Sequence, residues 1–191
     1  MSSLKGSQTE KNLLAAFAGE SQARNRYTYF SSVARKEGYE QISAIFAETA
    51  DNEKEHAQVF FKHLEGGDVE ITATYPGGVI AGTLENLQAA AAGELLEWGT
   101  LYPGFAATAK EEGFGAVFVS FDQIAKVEAF HEHRYNVLAG RVAAGEVFSR
   151  PAPIKWHCRN CGMVMEGATP PKVCPACQHA QAYYEPYCEA Y

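Results

Sequence analysis

The sequence predicts a mainly α protein: a four-helix bundle with a long crossover between its second and third helices, followed by a small C-terminal β/loop metal module. Three observations predict it. Glu-x-x-His occurs twice, as Glu53/His56 and Glu128/His131, 75 residues apart. The residues around the two copies repeat in register. All five cysteines fall after residue 157, and four of them form two Cys-x-x-Cys pairs.

The first helix is expected from Thr9 to about Lys36, with Leu13, Phe17, Glu20, Tyr27 and Phe30 at helical spacing and Gly38 as its stop. The second runs from about Glu40 to Leu64 and carries Ile42, Phe46, Glu53, His56 and Phe60 on one stripe. Residues 66–79 hold Pro76, four glycines and a β-branched run, which suits a crossover along the bundle better than a tight turn. The third helix is expected from Thr83 to Glu112, broken or kinked near Pro103. The fourth runs from Gly115 to Ala144, with Phe121, Ile124, Glu128, His131 and Tyr135 inward. Short loop, long crossover, short loop is the ferritin-like order of connections.

At an offset of 75, Tyr27 matches Tyr102, Glu37 matches Glu112, Gly38 matches Gly113, and Phe46 matches Phe121. Chance matching of helical patterns explains paired Phe and Ala, not Glu, His, Tyr and Gly in register. Ala18-Gly19-Glu20 matches Ala92-Gly93-Glu94 at 74 instead. One extra residue absorbed between Glu94 and Tyr102 predicts a π-bulge there. The same segment holds Glu97, which has no carboxylate counterpart in the first half.

Residues i and i+3 share a helix face, so each Glu-x-x-His points two metal ligands inward. The inward polar set is Glu20, Glu53, His56, Glu94, Glu97, Glu128 and His131. Five carboxylates inside an apolar bundle require a compensating cation. Hard carboxylates with two imidazoles suit iron or manganese. Glu53 and Glu128 are expected to bridge two metals, with the others terminal. Tyr27 and Tyr102 face the same interior and are expected to hydrogen-bond the carboxylates. His63 and His133 lack a partner at ligand spacing and read as surface residues.

Composition is globular, 47% apolar and 20% charged over 191 residues, enough for a bundle of 1–148 and a module of 149–191. The net charge of −7 argues against nucleic acid or an anionic membrane as partner. No apolar run approaches the roughly 18 residues of a membrane span. Met1–Glu10 lacks the apolar stretch of a signal peptide, so a cytoplasmic location is expected.

After Pro151 and Pro153 come Cys158-x-x-Cys161 and Cys174-x-x-Cys177, a tetrahedral four-thiolate pattern. Zinc would make it structural; iron would make it a one-electron carrier. Trp156, Tyr183 and Tyr184 are expected to form its small core. Cys188 is left over and reads as a spectator.

The Ala18-Gly19-Glu20-Ser21-Gln22-Ala23-Arg24-Asn25-Arg26-Tyr27 stretch, the opening Leu-Lys-Gly-Ser-Gln-Thr-Glu-Lys-Asn-Leu and the four-cysteine tail together resemble the rubrerythrins over essentially the whole chain. The resemblance implies a non-haem di-iron bundle fused to a rubredoxin-like domain with one iron. It implies a peroxidase that reduces hydrogen peroxide to water in oxidative-stress defence, fed from NAD(P)H through a separate reductase or redox donor protein. The family's ligand positions fall on Glu20, Glu53, His56, Glu94, Glu97, Glu128 and His131, with oxo and carboxylate bridges when oxidised. By position, Glu97 and His56 exchange at one iron on reduction. Glu97, Glu20 and His56 are the expected catalytic residues. His131 precedes the end of its helix by about 15 residues, roughly 22 Å, which is long for electron transfer within one chain. A head-to-tail homodimer is therefore expected. The rival reading is a ferroxidase or iron-handling protein of the ferritin-like class.

Overall fold

The computed structural model describes residues 3–189. The first two residues of the polar N-terminal stretch and the outermost residues of both expected domains lie outside that range. Helix α1 spans Gln8–Lys36, α2 Glu40–Lys62, α3 Thr83–Leu96, α4 Tyr102–Glu111 and α5 Gly115–Ala143. The expected third helix is one rod of α3, a π turn at Glu97–Leu101, and α4. Helices α1 and α2 pack as one hairpin; the rod packs on α5 as the other. Among the described residues, no helix is long and apolar enough to cross a membrane.

The termini follow from local chemistry. Ser7 caps α1 by accepting the Glu10 N–H at 3.0 Å. Gly38 and Gly113 both adopt φ +84°, where a side chain would be strained, and end α1 and α4 with the same return hydrogen bond, Tyr39 N–H to Ala34 and Phe114 N–H to Ala109.

The repeat has a structural use beyond the ligands. Glu37 accepts the Thr83 N–H at 3.0 Å, at the start of α3. Glu112 accepts the Thr9 N–H at 2.8 Å and the Gln8 N–H at 3.1 Å, at the start of α1. The glutamate at each hairpin's turn thus caps a helix of the other hairpin, and a carboxylate is well placed against unpaired N–H groups and the positive end of the dipole.

The π turn sits where the register breaks. The Tyr102 N–H bonds back five residues to the Glu97 carbonyl. Before the turn the halves match at an offset of 74, as in Thr9/Thr83 and Asn12/Asn86; after it they match at 75. Pro103 follows in the first turn of α4, where its missing N–H costs least.

Residues 63–82 form neither helix nor strand beyond the end of α2. This crossover is pinned to α1 by the Tyr75 hydroxyl, which donates to the Ala15 carbonyl at 2.7 Å. Two aromatic cores flank the bundle's centre: Tyr27, Phe30, Phe46 and Tyr135 on one side, Phe60, Tyr102 and Phe121 on the other. One expectation is corrected. His63 is half-buried, not a free surface residue, because the end of α2 lies against α5; its Nε2 is 2.9 Å from Ser120 Oγ. His133 is exposed as expected.

The C-terminal module is a three-stranded antiparallel sheet, β1 Ile154–Cys158, β2 Val164–Gly167 and β3 Tyr184–Pro186, in the order β2-β1-β3. Trp156 and Tyr184 are buried with Cys158 and Cys174, and Tyr183 packs at their edge. The module meets the turn between α1 and α2, where a methyl group on Gly38 would lie 3.7 Å from Ala182 Cβ; Tyr39 stacks on Phe148, just before the module, at 6.2 Å between ring centroids.

Replacing either interhairpin cap should lower stability. Glu37→Ala and Glu112→Ala are each expected to shift urea unfolding of the helices to lower midpoint at unchanged slope. The double variant should show the sum, because the two caps lie at opposite ends of the bundle.

Candidate metal centre

Glu20 comes from α1, Glu53 and His56 from α2, Glu94 from α3, and Glu128 and His131 from α5. In each Glu-x-x-His pair the three-residue spacing brings both side chains to the bundle axis. Glu20, Glu94 and Glu128 are 0% exposed and Glu53 is 1% exposed. The side chains form two groups, Glu20–Glu53–His56–Glu128 and Glu53–Glu94–Glu128–His131, each with one donor atom per residue and all donors within 4.8 Å of one another. Glu53 and Glu128 belong to both groups, the arrangement of bridging carboxylates. His56 Nδ1 lies 2.9 Å from Glu53 and 2.8 Å from Glu128; His131 Nδ1 lies 2.7 Å from Glu128 and 3.3 Å from Glu53.

Tyrosines tie the halves together. Tyr27 donates to Glu94 Oε1 and Tyr102 to Glu20 Oε1, each at 2.5 Å. Each repeat-related tyrosine holds a carboxylate of the opposite hairpin.

The residues fit a pair of metal ions. Glu20 Oε2, Glu53 Oε1, Glu94 Oε2, both Glu128 oxygens and His131 Nδ1 are buried without a well-aligned hydrogen bond, although the imidazole nitrogens lie close to Glu128 and Glu53. Orphaned acceptors of this kind are costly unless an ion takes their lone pairs. Burial pushes Glu20 and Glu94 well above the ordinary carboxylate value of 4.5, and neighbouring carboxylates add to the rise. Burial also pushes Glu53 upward, but the two imidazoles outweigh it and leave Glu53 below that value. Burial disfavours charge on the histidines, yet Glu128 and Glu53 prevail and raise His56 to about 10 and His131 to about 9. Without metal the cluster holds protons where it would otherwise hold cations.

Glu97 stands apart. It lies on the π turn, half-buried, and joins neither group of four. Its carboxylate faces a cavity of about 320 Å³ that α1, the rod and the crossover enclose, with Gly19, Tyr75 and Tyr102 among its walls. A methyl group on Gly19 would lie 3.9 Å from Glu97 Oε1 and 3.5 Å from the Tyr75 ring. The helical stripes do not reveal this cavity, because one wall is crossover. The available signal was Tyr75, the sole aromatic of residues 66–79.

In the C-terminal module the four expected cysteines converge. Cys158 and Cys177 Sγ are 3.9 Å apart, and Cys161 and Cys174 Sγ are 3.7 Å apart. A tetrahedral ion with metal–sulfur bonds of about 2.3 Å needs edges of about 3.8 Å. The His179 N–H lowers Cys177 to about 6, favouring the thiolate a metal requires. Cys161 is exposed at the outer edge, and Cys188 is an exposed free cysteine.

The proton load of the bundle predicts a pH dependence. Glu20 and Glu94 are raised from 4.5, and His56 and His131 from 6.5. The folded metal-free protein therefore binds more protons than the unfolded chain from about pH 4.5 up to about 10, and its stability falls as pH rises across that window. Helical unfolding of metal-free protein should follow that slope. Reloading with ferrous iron should flatten it, raise the midpoint and release protons to a pH indicator.

Comparison with known proteins agrees with this geometry. The family model described as Rubrerythrin matches residues 11–139, and that described as Rubrerythrin, rubredoxin-like domain, matches residues 156–185. A rubrerythrin of Porphyromonas gingivalis is 62% identical over 184 residues, covering 96% of this chain and 92% of the relative. A rubrerythrin of Nitratidesulfovibrio vulgaris is 56% identical over 185 residues, covering 97% of each. The structure of nigerythrin in its mixed-valence state superposes with a TM-score of 0.61 at 28% identity, covering 96% of this chain and 91% of that one. A ferritin-like bundle bearing a candidate carboxylate–histidine di-iron site, joined to a rubredoxin-like four-cysteine site, thus places the chain in the rubrerythrin family.

Proposed function

We propose that the protein is a peroxidase that reduces hydrogen peroxide to water, with electrons passed from a four-cysteine iron to two irons in the bundle. The observation that carries this reading is Glu97: a carboxylate beside both ligand groups, joined to neither, that opens onto a cavity. A ferroxidase would have no evident use for the four-cysteine module.

In this reading Glu20 and His56 would hold one iron and Glu94 and His131 the other, with Glu53 and Glu128 shared between them. Glu97 and His56 would be alternative donors to the first iron. A solved structure of nigerythrin described as all ferrous supports iron as the metal. When bound, the irons supply two electrons and a Lewis acid that polarises the O–O bond. In the metal-free protein burial, and then the charges of Glu128 and Glu53, raise Glu97 well above 4.5; at the cavity wall its carboxyl is placed to pass a proton to the departing oxygen. Tyr27 and Tyr102 hold Glu94 and Glu20 in one orientation while charge at the site changes. NAD(P)H serves as the ultimate donor through a separate reductase, in the cytoplasm, with 1–148 and 149–191 as the two domains.

The module's seat favours a crosswise homodimer. It rests at the turn before α2, near Gly38, and Glu53 lies 13 residues beyond Glu40 along α2, about 20 Å away. The four-cysteine iron of a second copy would offer a shorter route.

Peroxide added without air to the fully reduced protein should oxidise the bundle irons, followed by the colour of ferric thiolate at the cysteines. Glu97→Gln should slow the first step by about a hundredfold. A reduced bundle that ignores peroxide would end the peroxidase reading. Mixed subunits, one lacking residues 149–191 and one carrying Glu128→Ala, should regain the activity each lacks alone; no recovery would refute the crosswise route.

A further inference from the structure

The cavity beside Glu97 is larger than hydrogen peroxide requires. It measures about 320 Å³, whereas one water occupies roughly 30 Å³ of liquid and hydrogen peroxide about twice that. Its size falls at the lower end of sites that hold small organic molecules, roughly 300–1,000 Å³. Its walls are mainly apolar, with Ala15, Ala23, Leu96, Leu101, Phe105 and Pro76 among them. Its polar groups include Glu97 and the tyrosines whose hydroxyls hold Glu20 and Glu94. An apolar chamber beside a few polar groups is shaped for a molecule with one polar end and one greasy end.

We propose that the site also reduces alkyl and aryl hydroperoxides, with the organic group lodged between α1 and the crossover and the O–O group at Glu97. The inference rests on the peroxidase reading and extends its substrate class. The balance is that of hydrogen peroxide with one hydrogen replaced by carbon. The O–O bond breaks, taking two electrons from the reduced bundle site and two protons from solvent. An alcohol and a water leave. Removal of the apolar organic group from water favours its binding in the chamber.

Gly19 provides the test. Its α-carbon lines the chamber, and a Cβ there would make ordinary contacts at 3.5 and 3.9 Å, so Gly19→Ala should be tolerated while Gly19→Leu fills the space. The full-length metal-loaded protein is reduced and mixed with cumene hydroperoxide or hydrogen peroxide, and oxidation of both metal sites is followed spectrally. In parallel, 2-phenyl-2-propanol, the product alcohol, is titrated into the oxidised protein by calorimetry. We expect cumene hydroperoxide to oxidise the unaltered protein within about tenfold of the rate of hydrogen peroxide. In Gly19→Leu the ratio of the two rates should fall by at least about tenfold, the discrimination an apolar pocket gives when its volume is removed. The alcohol should bind saturably at one site per chain, with binding weakened in Gly19→Leu and retained in Gly19→Ala. Oxidation by hydrogen peroxide but not by cumene hydroperoxide would overturn this inference and leave the peroxidase reading standing. A rate ratio unmoved by Gly19→Leu would overturn it too. If neither peroxide oxidises the reduced protein, both readings fall, whatever the alcohol does.

Discussion

The burial of four carboxylates and two imidazoles at one level of a helical bundle governs the rest of this structure. Glu20, Glu53, Glu94 and Glu128 are withdrawn from water almost completely. Such a cluster opposes folding by several kcal/mol for each uncompensated charge. Only protons or cations reconcile it with an apolar surround. Its donors already lie at the spacing of two ions, so cation binding and the stability of the fold are one problem. The two aromatic cores on either side provide the rigidity that keeps like charges together.

Duplication solves much of the engineering. One helical hairpin with a Glu-x-x-His cannot close a two-metal site, but two copies facing each other can. Each copy then stabilises its opposite: Tyr27 and Tyr102 hold carboxylates across the hairpins, and Glu37 and Glu112 cap helices across them. These contacts make the hairpins mutually dependent. They also give matching residues that are not ligands a reason to match.

Function enters where the duplication is imperfect. The residue inserted between Glu94 and Tyr102 is absorbed as a π turn, which leaves Glu97 beside the ligand groups but outside them. The cavity opens on this side, walled in part by a crossover that has no repeat partner. In the proposed chemistry the symmetric part of the bundle would hold the metals, and the asymmetric segment would supply Glu97 and room for a substrate.

Much of this was legible in the sequence because periodic helices translate spacing into position. Glu53 with His56, Glu128 with His131 and Cys158 with Cys161 are close in the chain, so their local geometry brings each pair together. The change of offset from 75 to 74 located the π turn, since an extra residue in a continuous helix has few other places to go. The half-burial of His63 is not legible in the sequence, because the burial of a helix end depends on which neighbour it meets. The cavity, Tyr75 on Ala15 and the seat of the four-cysteine module depend on where irregular segments come to rest. The sequence by itself determined the helices, the residues that converge on the two candidate metal sites and the pseudo-symmetry, all set by local geometry and pattern. Only the tertiary structure decided that Glu97 stands off from the cluster and what space it faces, because both follow from long-range packing of a crossover with no periodicity to read.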